Sequence, residues 1–196
     1  MQCGDSADKN AAAVDVADAD ISLLSSTTYY SSHRVRFVGE RFATPDGMVE
    51  RPAAHHPGAV AIIARPDPAH LIMVWQYRYP LRRRVLEIPA GTCEAGENPQ
   101  DTAHRELREE GGYAAVRLER RCSFCPSVGI SDETMVIYEA FDLRPVPPAR
   151  ERGELISPVL MPLAALAEYR RSGALCDAKT LLALALLGQA VGDGPC

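Results

Sequence analysis

No run of apolar residues in the 196-residue chain approaches the roughly 18 needed to cross a bilayer as a helix, so no membrane span is expected. The opening segment, MQCGDSADKNAAAVDVADAD, has no basic stretch followed by an apolar one, which argues against a secretory signal. Its small, polar, Ala- and Asp-rich composition predicts a tail outside the fold over residues 1–25. There is no basic surplus either: the formal net charge is -5, which disfavours a nucleic-acid backbone as the main partner. That charge says nothing against a small anion held through a metal or a local arginine cluster. The six cysteines are even in number, but with no export signal and no tight framework they predict reduced thiols and a cytoplasmic protein. Cys122-Ser-Phe-Cys125 lacks the two further ligands a zinc site needs and reads as two small apolar positions on a strand.

The composition that remains, 46% hydrophobic and 24% charged, suits one globular domain with a sizeable core. Short β-rich pieces and a Pro-Asp-Gly turn at 45–47 fill residues 28–50. GAVAIIA (58–64) and LIMVWQY (71–77) are apolar runs joined by a turn-like RPDPAH, and they predict a buried hairpin. RVLEIPAG (84–91) predicts one more strand, and RCSFC and ETMVIYEAFDL predict others. Between them the period changes. Asn98 is suited to cap a helix, Pro99 to open it and Asp101 to sit in its first turn, which predicts a helix over 99–110 stopped by Gly111 and Gly112. LAALAEYRRSG and DAKTLLALALLGQA predict two closing helices. Strands mixed with a few helices imply an α/β sandwich around one core.

The charge on the 99–110 helix is unevenly placed. At roughly 100° per residue, Glu106, Glu109 and Glu110 share one sector with Ala103 and Leu107, while Asp101, His104, Arg105 and Arg108 fall opposite. A solvated helix face favours opposite charges three or four residues apart. Here Glu106 and Glu110 are like charges at that spacing, a penalty of about a few tenths of a kcal/mol that burial enlarges. A divalent cation removes the conflict, and carboxylate oxygens are hard ligands suited to Mg²⁺ or Mn²⁺. Gly91 and Gly96 bracket the preceding loop and let backbone approach a ligand, and a carbonyl at Ala90 or Gly91 would add an oxygen.

Gly91, Glu97, Arg105, Glu106, Leu107, Glu109, Glu110, Gly112 and Tyr113 stand at the spacing of the Nudix box, G-x5-E-x7-R-E-U-x-E-E-x-G-U with U a bulky apolar residue. The stretches HPGAVAII, VWQYRYPLRR, LEIPAG, FCPSVGISDE and DAKTLLALALL extend the resemblance, over about residues 33–188, to the ADP-ribose pyrophosphatase branch. The resemblance implies an α/β/α sandwich with a mixed β-sheet over residues 57–190. It also implies an N-terminal β-strand arm over 26–56 that exchanges across a homodimer, and residues 191–196 are expected to be a loose end. It implies Mg²⁺-dependent hydrolysis of a nucleoside diphosphate linked to another group.

In that scheme Glu106 and Glu110, with the Ala90 carbonyl, hold Mg²⁺. Glu109 serves as a further ligand or as a base, Arg105 orients the glutamates and Glu97 holds the loop. The general base comes from outside the box, with Glu154, Glu151 and Glu133 as candidates. Arg78 would contact substrate phosphate or ribose, with pairing to an acid as its plainer reading. Glu87 would help hold substrate or form a structural ion pair. Tyr77 and Tyr79 read as packing, and His55 and His56, pointing to opposite faces of a strand, as structural. Within the resembling branch, ADP-ribose goes with a proline about 15 residues beyond the box. That position is Val128 here, which leaves GDP-mannose, other sugar nucleotides and dinucleotides open. A non-catalytic regulatory domain would be expected to lose box acids, and all four are present.

Overall fold

A computed structural model describes residues 20–147 and 155–189. Glu151, Glu154, residues 1–19 and the end from position 190 lie outside the described residues. The chain begins with three antiparallel strands, β1 (Ser22–Ser31), β2 (Arg36–Thr44) and β3 (Gly47–His55), paired in the order β1-β2-β3. β1 starts inside the segment expected to be a tail. Ser22 pairs with Ala43 and Leu23 with Phe42, so backbone ladder bonds order residues whose polar neighbours gave no sign of it. All ten residues of β1 are exposed.

The body follows as β4 (Ala59–Ala64), β5 (His70–Arg78), β6 (Arg83–Glu87), β7 (Ala90–Thr92), α1 (Pro99–Glu109), β8 (Tyr113–Ala114), β9 (Arg117–Phe124), β10 (Met135–Phe141), β11 (Arg144–Pro145), β12 (Ile156–Pro162), α2 (Leu166–Arg171) and α3 (Ala178–Leu186). One sheet runs β7-β4-β10-β9. Its β4–β10 pairing is parallel and its other pairings are antiparallel, so it is mixed. A second sheet runs β12-β5-β6, all antiparallel, and β8 and β11 form a short pair.

Two expectations about pairing are corrected. The runs at 58–64 and 71–77 do not form a hairpin: β4 pairs with β7 and β10, and β5 with β6 and β12. A two-residue turn would force neighbouring strands to pair, whereas the longer 65–70 connection carries the chain from one sheet to the other. There Asp67 accepts from the Ala69 amide at 2.8 Å. The single strand expected at 84–91 is two. The chain leaves the second sheet after Glu87 and enters the first at Ala90, with the Pro89 carbonyl accepting from the Ile62 amide at 2.8 Å. Proline has no N–H to continue a ladder, so the break falls where the sheet changes.

β4 is buried on both faces, which explains its unbroken apolar run. Ala59, Ala61 and Ile63 join Leu71, Met73, Leu86 and Ile137 in one core cluster, together with Leu166 of α2 and Ala183 and Leu184 of α3. Val60, Ile62 and Ala64 join Val136 and Tyr138 in the other, closed by Ala103 and Leu107 of α1. Helices therefore cover the strands from both sides, in an α/β sandwich with a β-strand arm.

Candidate active site

α1 forms where its caps dictate. The Asn98 side chain accepts from the Gln100 and Asp101 amides, both at 3.0 Å, and Pro99 occupies the first turn, where no amide partner is needed. Ala103 and Leu107 bury against the mixed sheet, and the same face carries Glu106 and Glu110 inward, 8% and 4% exposed. Gly91, on β7, lies directly against this face. A Cβ at that position would come within 1.8 Å of Glu106 Oε1, so only glycine leaves room for the carboxylate. The Ala90 amide donates to Glu110 Oε2 at 3.0 Å.

Arg105 gathers the acids. Its Nε and Nη2 donate to Glu97 Oε1 and Oε2, each at 3.0 Å. Its Nη1 donates to Glu106 Oε1 at 2.7 Å and to Glu109 Oε2 at 3.1 Å. Nη2 also reaches the Thr92 carbonyl at 3.2 Å. The helical wheel placed Arg105 opposite the glutamates. In the structure its long stem wraps along the helix and returns the guanidinium to them, half-buried. The fork on Glu97 holds that carboxyl at about 2, far below its ordinary range, and Glu97 in turn pushes the guanidinium pKa further up.

A cleft of about 630 Å³ opens in front of these groups. Glu106, Glu109, Glu110 and Arg105 line one side, and Arg78 and Glu133 also face it. His33 and Arg34, from the turn between β1 and β2, line it too, so the arm contributes to the site within one chain. Glu133 Oε1 stands 3.9 Å from His56 Nδ1. Arg78 is bound edge-on by Glu87, with Nε to Oε1 at 2.7 Å and Nη2 to Oε2 at 2.5 Å. Glu87 itself is 1% exposed and stands behind Arg78, outside the cleft lining. Burial works against its charged form, but Arg78 and Lys179 outweigh burial and hold its carboxyl below the usual range.

His55 bridges Asp132 (2.6 Å) and Glu40 (3.0 Å), tying the loop that carries Glu133 to the arm. Both carboxylates push its pKa up. Tyr77 and Tyr79 meet edge to face at 5.2 Å and do not line the cleft. Val128 is exposed and does not line it either. Cys93, Cys122, Cys125 and Cys176 are free thiols.

The donor set fits a divalent cation. It consists of glutamate oxygens, two of the glutamates are buried, and the close approach of Gly91 leaves backbone beside them. Among the described residues, no three His, Cys, Asp or Glu side chains already stand at ligating spacing, and Glu106 and Glu109 turn to Arg105 instead.

Comparison with known proteins places this arrangement. A model of the NUDIX domain matches residues 54–183. The chain is 39% identical over 146 residues to an ADP-ribose pyrophosphatase of Bacillus subtilis strain 168, covering 73% of this chain and 79% of that protein. It is 35% identical over 161 residues to a methanol dehydrogenase activator of Bacillus methanolicus, covering 81% and 87%. The crystal structure of an ADP compounds hydrolase shares the fold, with a TM-score of 0.71 at 24% identity over 86% of this chain and 92% of that one. The chain belongs to the Nudix hydrolase superfamily, in its ADP-ribose-pyrophosphatase-like branch. It is a hydrolase of that superfamily, a pyrophosphatase for a substrate linked through a nucleoside diphosphate. No helix among the described residues is long and apolar enough to cross a membrane.

The sequence alone gives no role to Lys179, which lines the cleft with Arg78, or to Asp177, and the two complete the cluster around Glu87. The DAKT stretch that holds them was visible, but its partner Glu87 lies 92 residues away in sequence.

Proposed function

We propose that the protein hydrolyses the diphosphate bond of a nucleoside diphosphate sugar, ADP-ribose foremost, giving AMP and ribose 5-phosphate. The observation that carries this reading is the meeting of Glu106, Glu109 and Glu110 with the glycine cradle of Gly91 at one side of the cleft. The B. subtilis relative supports the choice of ADP-ribose. Glu106 and Glu110, with the Ala90 carbonyl and Glu109, are the residues that would hold Mg²⁺, or Mn²⁺ in its place. Such an ion supplies charge neutralisation at the diphosphate and acidifies water.

The chain's own groups do the rest. Arg105 keeps the glutamate side chains apart and oriented, and Arg78 offers a guanidinium edge to the diphosphate. Glu109 or Glu133 in the cleft, or Glu154 or Glu151 in the segment outside the described residues, accepts the proton of the attacking water. The arm over 26–56 pairs with a second copy to make a homodimer, and Ile21, Leu23, Tyr29 and Phe37 are exposed apolar groups on or beside it. The free thiols accord with a cytoplasmic protein.

Val128 favours a second reading, in which the preferred substrate is GDP-mannose or another sugar nucleotide or dinucleotide. A panel of these compounds incubated with Mg²⁺, with products identified, separates the two. AMP from ADP-ribose at the highest kcat/KM is expected, and faster turnover of a different nucleotide sugar transfers the assignment. EDTA should silence hydrolysis and Mg²⁺ restore it, and a rate indifferent to chelation would remove the metal from the scheme.

A further inference from the structure

Arg78 belongs to a compact cluster of two acids and two cations, in which Arg78 and Lys179 border the cleft and Glu87 and Asp177 stand behind them. Glu87 Oε2 accepts from Arg78 Nη2 and, through a short contact, from Lys179 Nζ. Lys179 Nζ also donates to Asp177 Oδ1 at 2.7 Å. Asp177 caps α3, accepting from the Thr180 amide at 3.1 Å, and Thr180 Oγ1 accepts from the Ile88 amide at 3.0 Å. The first turn of α3 is thus fastened to the point where the chain passes from β6 towards β7. Lys179 is 8% exposed and Glu87 1%, so these charges are screened by their partners rather than by water. Asp177 Oδ2 is buried with no hydrogen-bond partner among the described residues.

We propose that Lys179 is a positioning residue for substrate binding: by holding Asp177 and half of Glu87, it leaves Arg78 with a single carboxylate partner and keeps that guanidinium at the cleft.

The charge count explains the role. With Lys179 in place, two carboxylates face two cations. Without it, Glu87 and Asp177 both face Arg78 alone, and a buried acid with no partner is costly. Arg78 already feels the fields of Glu87, Asp177 and Glu110. Losing the ammonium tips that balance towards Asp177 and draws the guanidinium away from the cleft. Glu87 takes the Nε–H and one N–H of Nη2, so both N–H groups of Nη1 and the second of Nη2 are the donors that Glu87 leaves for an anionic substrate group. The contribution of Lys179 therefore belongs to substrate affinity rather than to proton transfer.

This inference rests on the reading of the protein as a nucleoside diphosphate sugar hydrolase, and its failure is separable from failure of that reading. A wild-type enzyme inactive on the whole nucleotide panel defeats the function itself. With active wild type, Lys179→Gln should raise KM for the preferred substrate about tenfold while kcat stays within about threefold. In an Arg78→Ala background the same change should leave KM unaltered within about twofold, because residues acting as one unit are not additive. Lys179→Arg keeps the charge and should hold KM within about threefold of wild type. It carries the test alone if Lys179→Gln gives no folded protein. A KM rise of equal size in both backgrounds overturns the proposal. So does a folded Lys179→Gln protein with lowered Tm and unchanged KM, which would mark Lys179 as structural only. A folded Lys179→Arg protein with KM raised tenfold also overturns it.

Discussion

Two charged clusters flank the cleft, and they are balanced differently. Behind Arg78, the carboxylates of Glu87 and Asp177 meet two cations, Arg78 and Lys179. Along α1, the carboxylates of Glu97, Glu106 and Glu109 converge on the one guanidinium of Arg105, with Glu110 beside them. The first cluster is neutralised by the chain itself and needs nothing from solution. The second brings four carboxylates together in a half-buried place, three of them on one guanidinium, where like charges repel. The difference between the two clusters is what the proposed divalent-cation site rests on: one is closed by paired cations, the other presents glutamate oxygens to the cleft.

Removing an acid from each cluster should therefore have opposite signatures. Glu110→Gln is expected to lower kcat by about a hundredfold or more while the far-UV CD and Tm stay near wild type, since glutamine keeps the side-chain shape and an oxygen that can accept from the Ala90 amide. Activity within about tenfold of wild type would break the comparison. Glu87→Gln should instead unfold more easily, by about 3 kcal/mol in urea titration, because it strands the charge of Arg78 and leaves Lys179 with Asp177 alone. Added Mg²⁺ should raise the Tm of wild type and of Glu87→Gln but not that of Glu110→Gln. Gly91→Ala sharpens the same point sterically: its methyl takes the space of Glu106 Oε1, and a kcat loss of about tenfold or more is expected with CD unchanged.

Smaller effects appear in pH. The Glu97 carboxyl is held at about 2 against an ordinary 4.5, so its contribution to stability is complete above 4.5 and is lost as pH falls towards 2. The stability difference between wild type and Glu97→Gln should shrink over that interval in denaturant melts. His55 has the opposite sign. Its pKa is raised from 6.5 by Asp132 and Glu40, so its contribution is full below 6.5 and fades as pH rises through the elevated value. His55→Gln should accordingly differ least from wild type under alkaline conditions.

Local chemistry made much of this legible in advance. The α1 helix was foreseen at 99–110 and observed at Pro99–Glu109, because Asn98, Pro99 and the glycines at 111 and 112 act on neighbouring residues. The glutamate spacing marks the helix face that turns inward in the structure, for the same reason. What escaped notice was long-range. The partner strands of β4 and β5 depend on which edges remain open after distant segments arrive, and apolar runs carry no label for their sheet. The break at Ile88–Pro89 is hidden inside what reads as one strand over 84–91, because the sequence does not give the destination of the chain. Lys179 reads in isolation as a solvated lysine early in a helix, and only the arrival of Glu87 gives it a role. The side-chain reach of Arg105 lies beyond what a helical wheel describes.

The passage of the chain between sheets at Ile88 and Pro89 has a mechanical consequence. Glu87, which grips Arg78, and Gly91, which cradles Glu106, are four residues apart on one covalent segment whose extended reach is at most about 14 Å. The interval between Arg78 and the acidic helix thus has an upper bound set by bond lengths as well as by packing. Neither sheet can slide far past the other without pulling on this short tether, so the span from Arg78 to Glu106 is gauged by the chain itself.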